Sequence, residues 1–255
     1  MRLSTTLLYQ TMSEFEAKKK EFYVIEKSLP ILFFGDLPSY LKQQKKIITV
    51  GLNPSNIEFQ PNSSAPFSLF RFPEYKHSLS SLEKTLSNYF KNQPYRKWFS
   101  TGYEPLLNGM NCSYYPNEGM NNVLHTDIGS PLATQPTWSK LPVHIQQKLC
   151  EKGFMLWKQL VKEIQPNLII LSTRKSYLDQ LNPRFIETLY VVKETKSGQP
   201  RRPFYLNLYE VTVNGHNTYL VYGAPKNLPF GSVTTEAKKT MGELIYKRVF
   251  QASKT

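Results

Sequence analysis

The chain is poor in the residues that carry metal and redox chemistry. Of its 255 residues only two are cysteine and four are histidine. Cys112 and Cys150 lie far apart and form no Cys-x-x-Cys pair. That excludes a four-cysteine zinc or iron–sulfur site and leaves no disulfide framework. The scattered histidines do not give the tight His/Asp/Glu constellation of a metal hydrolase. Long apolar runs are missing too: nothing approaches the ~20 residues that span a bilayer. Met1 to Gln10 has a short apolar patch but no cleavage-site pattern. A cytoplasmic protein without membrane contact is expected. Acidic residues are the scarcer charge, 19 against 32 Lys+Arg, for a formal net charge of +13. Such an excess favours a polyanionic partner, because each basic side chain that neutralises a phosphate releases a counterion. A merely basic surface is the bland alternative.

What is present describes an ordinary globular chain, 40% hydrophobic and 20% charged. Its 16 Tyr, 15 Phe and 3 Trp build a core and leave flat faces on which bases can stack. The length suits one large α/β domain or two small ones. No repeat and no linker divides it, so one domain over 1–255 is expected. A surface helix is predicted over about 11–28, with Lys18-Lys19-Lys20 on its solvated side. Strands are predicted at about 45–51, 122–127 and 168–171. Helices are predicted over Ser80–Lys91, capped by Ser80 or Ser81, over Pro142–Ile164, Lys175–Leu181 and Thr234–Val249. Pro94 opens a further helical or turn segment. Two β-rich runs, about 204–213 and 217–223, flank Asn214-Gly215, a strong hairpin signal. Strands alternating with helices imply a three-layer α/β sandwich with a mainly parallel central sheet.

The most informative stretch is Lys46-Ile-Ile-Thr-Val50 running into Gly51-Leu52-Asn53-Pro54-Ser55. It reads as a buried strand stopping in a tight turn, and open α/β sheets hold ligands just beyond such carboxyl ends. A second apolar run, Asn122-Val-Leu-His-Thr-Asp127, ends in another polar side chain and offers the matching half of a pocket. His125 shares the face of Asp127 if that strand persists. The long loop from Asn53 to about His77 is rich in aromatics and reads as a binding loop.

These residues resemble the uracil-DNA glycosylase superfamily, most nearly its mismatch-specific and single-strand-selective branches, over about residues 30–250. Those branches carry a Gly-x-Asn-Pro-Gly turn after the first sheet strand, where this chain has Gly51-Leu52-Asn53-Pro54-Ser55. They place a base-reading Asn at a later strand end, where His125-Thr126-Asp127-Ile128 stands here. They close with a loop, often His-Pro-Ser-Pro-Leu, where Ala224-Pro225-Lys226-Asn227-Leu228 follows Tyr219-Leu-Val-Tyr-Gly223. All three occur in the family's order.

The resemblance implies a DNA glycosylase that flips out a base and hydrolyses its N-glycosidic bond, with no cofactor and no metal. Asn53 would orient the attacking water, because an amide is no strong base but can both donate and accept hydrogen bonds. Asn-Pro is also a common turn former, which competes with that role. Asp127 departs from the family. A carboxylate facing O4 of uracil has no donor, whereas cytosine offers its N4 amino group, and a protonated Asp can donate to N3. Adenine has a similar edge, and an Asp can equally cap a strand end. His125 orients Asp127, assists the leaving base, or is simply a core histidine. Ser55 stands where the uracil-specific branch has a bulky Tyr, leaving room at C5 of the base. Phe67, or in its place Phe59 or Phe70, would be the stacking aromatic, and each can equally belong to the core. Leu228 matches the family's wedge, which fills the gap left by the flipped nucleotide. Ala224 replaces a His that stabilises the departing base. Lys226 and Asn227 are DNA-contact candidates, Lys226 alternatively supplying positive charge to the departing base; Arg201-Arg202 and Lys238-Lys239 read alike, as solvated charge or as a lining of the DNA path. The expected substrate is a C5-modified cytosine, for example glucosylated hydroxymethylcytosine in phage DNA, which would make the chain an antiphage enzyme. A uracil or mismatch glycosylase of base-excision repair is the runner-up, and a catalytically inactive DNA-binding protein is the alternative from another class.

Overall fold

The computed structural model describes residues 2–92, 97–115, 119–195 and 197–251. Pro94, where a further helical or turn segment is predicted to open, lies outside them. Among the described residues an eight-stranded sheet is built from β1 (Phe33–Phe34), β2 (Ile47–Gly51), β3 (Cys112–Ser113), β4 (Asn121–Asp127), β5 (Leu168–Leu171), β6 (Arg184–Glu194), β7 (Pro200–Val213) and β8 (His216–Gly223). The order is β1-β4-β2-β5-β8-β7-β6, with β3 pairing to β4 off that path. Helices α1 (Thr5–Lys18), α2 (Leu37–Lys42), α3 (Leu79–Ser87), α4 (Tyr89–Asn92), α5 (Glu104–Gly109), α6 (Val143–Ile164), α7 (Lys175–Asp179) and α8 (Thr235–Tyr246) complete the α/β pattern.

The sheet is mixed. β5 runs parallel to both β2 and β8, but β1–β4, β7–β8 and β6–β7 are antiparallel. β3 also pairs parallel with β4, so the sheet mixes both directions where a mainly parallel one is expected. Asn214 and Gly215, both at positive φ (47° and 81°), turn the chain straight back, and a two-residue turn joins only antiparallel neighbours. The unforeseen β6 then lengthens the antiparallel edge. The order reverses at β2, since β4 and β5 lie on opposite sides of it.

The chain divides into two compact units, each made of three segments: Met1–Lys42, Gly51–Gln93 and Leu124–Gln165, and Gln43–Val50, Pro94–Val123 and Pro166–Thr255. In the first unit, α1 starts and ends earlier than predicted. Ser4 accepts a hydrogen bond from the Leu7 amide and caps it, and Leu7, Leu8, Thr11 and Phe15 form its buried face. The apolar patch before Gln10 is therefore part of this helix. Ser78, not Ser80 or Ser81, caps α3, with Ser81 returning the bond in a capping box. α6 follows Pro142 and stops at Gln165, which takes the left-handed conformation just ahead of Pro166. Its Ile145 and Leu149 join Phe15, Tyr23, Val24, Leu132, Trp138 and Leu141 in a core cluster. Burial of each large apolar side chain there is worth about 1.5–3 kcal/mol.

In the second unit, all four residues of β5 are buried, so this short apolar run needs no alternation. α5 and α8 approach backbone to backbone: a Cβ at Gly109 would stand 2.1 Å from the Lys239 carbonyl oxygen, and one at Gly242 2.1 Å from that of Leu106. Thr234 caps α8 through the Ala237 amide. Lys238 departs from its expected solvated place. It is 3% exposed and its Nζ donates to the Thr101 carbonyl at 2.6 Å. Burial lowers its pKa from 10.5 to about 8.

Candidate active site

The turn after β2 and the segment after β4 are stitched together within the first unit. The Ile128 amide donates to the Gly51 carbonyl at 3.0 Å, and the amides of Gly129 and Ser130 both donate to Leu52 O, at 2.9 and 3.0 Å. Asn53 completes the seam: its Nδ2 donates to Leu132 O at 3.2 Å and to Thr134 Oγ1 at 3.1 Å. Both amide hydrogens are thereby used inward, and Oδ1 is left as the acceptor. The side chain is half-buried.

Gly51 is glycine for lack of space. A Cβ there would lie 2.4 Å from Asp127 Oδ1 and 3.1 Å from His125 Nε2. The strand persists through both residues, so His125 and Asp127 do share a face. The His125 Nε2 to Asp127 Oδ1 distance is 3.7 Å, with side chains 3% and 4% exposed. Thr126 points the other way and accepts from Trp157 Nε1 at 3.0 Å. The His125 ring lies nearly parallel to Phe34, 6.4 Å between centroids. Among the described residues no hydrogen bond from a protein donor reaches the Asp127 carboxylate; the His125 ring nitrogen stands 3.7 Å from it. The carboxylate therefore keeps acceptor capacity for a ligand that brings a donor.

The other residues expected to bind substrate divide. Leu52 packs against the α1–α6 core cluster and Pro54 is buried, so both shape the turn. Ser55 Oγ accepts from the Ile57 amide and caps a short 3₁₀ turn, Asn56–Glu58. Phe59 is fully buried and packs on Phe72 at 5.3 Å, in a core that also holds Phe34 and Tyr89. Phe67 is half-buried on the wall of a separate cleft. Phe70 is 40% exposed with the Arg71 guanidinium 5.0 Å from its ring centroid. Sequence reasoning missed what fixes this loop. Glu58 is fully buried, accepts from Tyr89 Oη at 2.7 Å and pairs with Arg71 at 3.6 Å. Those partners lie 31 and 13 residues away in sequence, and no local pattern links them.

The third motif belongs to the second unit. Ala224, Pro225, Lys226 and Asn227 are exposed and Leu228 is half-exposed. The Lys226 amide donates to Leu228 O at 3.2 Å and so does that of Gly231, at 3.0 Å. Asn227 sits at φ 61°, which closes a narrow turn with Lys226 and Asn227 at its tip. Phe230 anchors the turn: it is fully buried and its amide donates to Ser172 Oγ at 3.0 Å. Arg201 hydrogen-bonds to the Ser232 carbonyl and to Arg202 O, which makes it a brace for this loop; Arg202 is exposed.

Among the described residues no three His, Cys, Asp or Glu side chains gather as a metal site, and no helix is long and apolar enough to cross a membrane. Compared with protein-family models, curated proteins and solved structures, the chain matches none of them.

Proposed function

We propose that the chain is a monofunctional DNA glycosylase of the uracil-DNA glycosylase superfamily, acting on a C5-modified cytosine and leaving an abasic site. The observation that carries the reading is the buried Asp127 side chain, without a hydrogen-bond donor among the described residues, held against Gly51, two residues before the anchored Asn53 amide. In this reading Asp127 accepts a hydrogen bond from N4 of the flipped base, and His125 positions Asp127. Asn53 Oδ1 accepts from a water aimed at C1′. The water oxygen bonds to C1′, the C1′–N bond breaks, its electron pair leaves with the base, and the released proton ends on the base. The amide contributes orientation, which alone is worth several kcal/mol in a near-attack geometry, and the departing charge is met by hydrogen bonds to the base.

The small Ser55 side chain leaves the C5 side open in this reading. Leu228, half-exposed in a braced turn, acts as the wedge, and Lys226, Asn227 and Arg202 contact phosphates. The deciding experiment incubates the protein with DNAs carrying uracil, cytosine, hydroxymethylcytosine and glucosylated hydroxymethylcytosine, and scores alkali-labile sites. Cleavage on a modified cytosine is expected. Efficient cleavage of uracil alone would replace the reading with a uracil or mismatch glycosylase. Binding without any labile product would leave an inactive DNA-binding protein.

A further inference from the structure

A cleft in the first unit, about 690 Å³ in volume, opens between α1, residues 26–28 and the loop residues 66–69, Tyr75 and His77. None of Gly51, Asn53, Ser55, His125 and Asp127 lines it. Its size falls in the range of small-molecule sites. Phe67, Tyr75 and His77 supply flat faces, with the Tyr75 and His77 rings 4.9 Å apart. His77 holds φ at 52°, a left-handed conformation that a non-glycine residue adopts at a cost and that clusters at binding sites. Ser28, also on the lining, is 6% exposed and its hydroxyl has no hydrogen-bond partner. Lysines stand at two positions of the lining. Lys19 is paired with Glu16 at 2.5 Å and the lining Glu26 with Lys20; Lys27, in the field of Glu26, makes no ion pair of its own among the described residues.

Aromatic faces, one buried unmatched hydroxyl and one available ammonium are the complement of a planar base carrying a single phosphate. We infer that this cleft binds a nucleotide other than the one excised, with its base against Tyr75 and Phe67 and its phosphate on Lys27. Stacking on aromatic side chains tolerates any base, and Ser28 can donate to or accept from the base edge. The nucleotide comes either from solution or from an unpaired stretch of a DNA strand. The inference goes beyond the glycosylase reading and does not require excision.

The test uses the full chain carrying Asn53→Ala, so that loss of excision and loss of this site are read separately. Binding of the four deoxynucleoside 5′-monophosphates and of a mixed-sequence single-stranded 10-mer is measured by calorimetry. Tyr75→Leu and Lys27→Glu are each expected to weaken binding by about tenfold or more, in the range of a lost base stack or phosphate contact. Lys162→Glu, the same charge change on an exposed position of α6, is expected to change it by less than half as much on a logarithmic scale. Weakening with the monophosphates assigns a free nucleotide, and weakening with the 10-mer alone assigns a strand nucleotide. If neither probe binds, or if Lys27→Glu weakens binding no more than Lys162→Glu does, the inference is overturned. Should Tyr75→Leu fail to fold, the exposed Lys27 decides alone.

Discussion

Asn53 can be changed without dissolving the turn it occupies, because Pro54 and the paired amides on Leu52 O hold that turn independently of the side chain. Asn53→Ala is therefore expected to lower base excision by about a hundredfold or more while DNA affinity stays within a few fold. Near wild-type excision by the folded variant would remove Asn53 from the mechanism. Asp127→Asn probes recognition. An amide adds the donor that O4 requires and spoils the match to N4. Each polar group left unpaired costs about 1–3 kcal/mol, so activity on cytosine-type bases should fall and activity on uracil should appear. Unchanged selectivity across the DNA panel would sink the reader role. Lys238 governs stability instead. Its folded pKa is lowered to about 8 from 10.5 by burial, so between those values the unfolded chain holds a proton that the folded chain has shed. Stability from this group therefore rises as pH climbs through that window. In Lys238→Met that rise should be absent, as denaturant midpoints measured from pH 7.5 to 10 would reveal; an identical pH slope in both proteins would contradict it.

Elements differ in how openly the sequence displays them. β2, β5 and the long α6 were legible because each is an uninterrupted apolar run or a clean helical stripe, and Asn214-Gly215 marks its hairpin directly. β6 was not. It lies at the sheet edge, has three register shifts against β7, and is nowhere fully buried, so no period-2 signal survives. The lysine run at 18–20 extends the expected helix past its end, although cations favour a helix C-terminus, where Lys18 stands. At the site, the strand ends carrying Asn53 and Asp127 could be read from their turn residues. The Glu58–Arg71–Tyr89 network and the fate of Phe67 could not, since both depend on how the loop folds back. The loop bearing Leu228 gives the element-scale prediction. Its turn is closed by backbone bonds and anchored at Phe230, so Leu228→Ala should leave the loop intact. Only a duplex leaves a hole for a wedge to fill, so excision should drop more on duplex than on single strands. Equal losses on both would count against the wedge.

Across the whole molecule, the charge excess survives whatever pairing occurs. An ion pair removes one charge of each sign, so the difference of 32 and 19 remains 13 however many surface pairs form. Burial of Lys238 takes one cation from the surface. Pairs such as Lys175–Asp179 are exposed and contribute little stability; they redistribute the excess without reducing it. If that excess is used on DNA, affinity should fall linearly on a double-logarithmic plot against salt, with a slope of about 0.9 per phosphate neutralised on a duplex. A footprint of about six phosphates would cost roughly a thousandfold in affinity between about 50 and 200 mM salt. Removal of one contacting cation should lower the slope by nearly one unit, so Lys226→Ala, at the exposed tip of the third loop, is the natural companion measurement. Buried Lys238→Met supplies the control, since a cation that never reaches phosphate should leave the slope unchanged. A wild-type affinity indifferent to salt would mean that the basic surface serves something other than a nucleic acid.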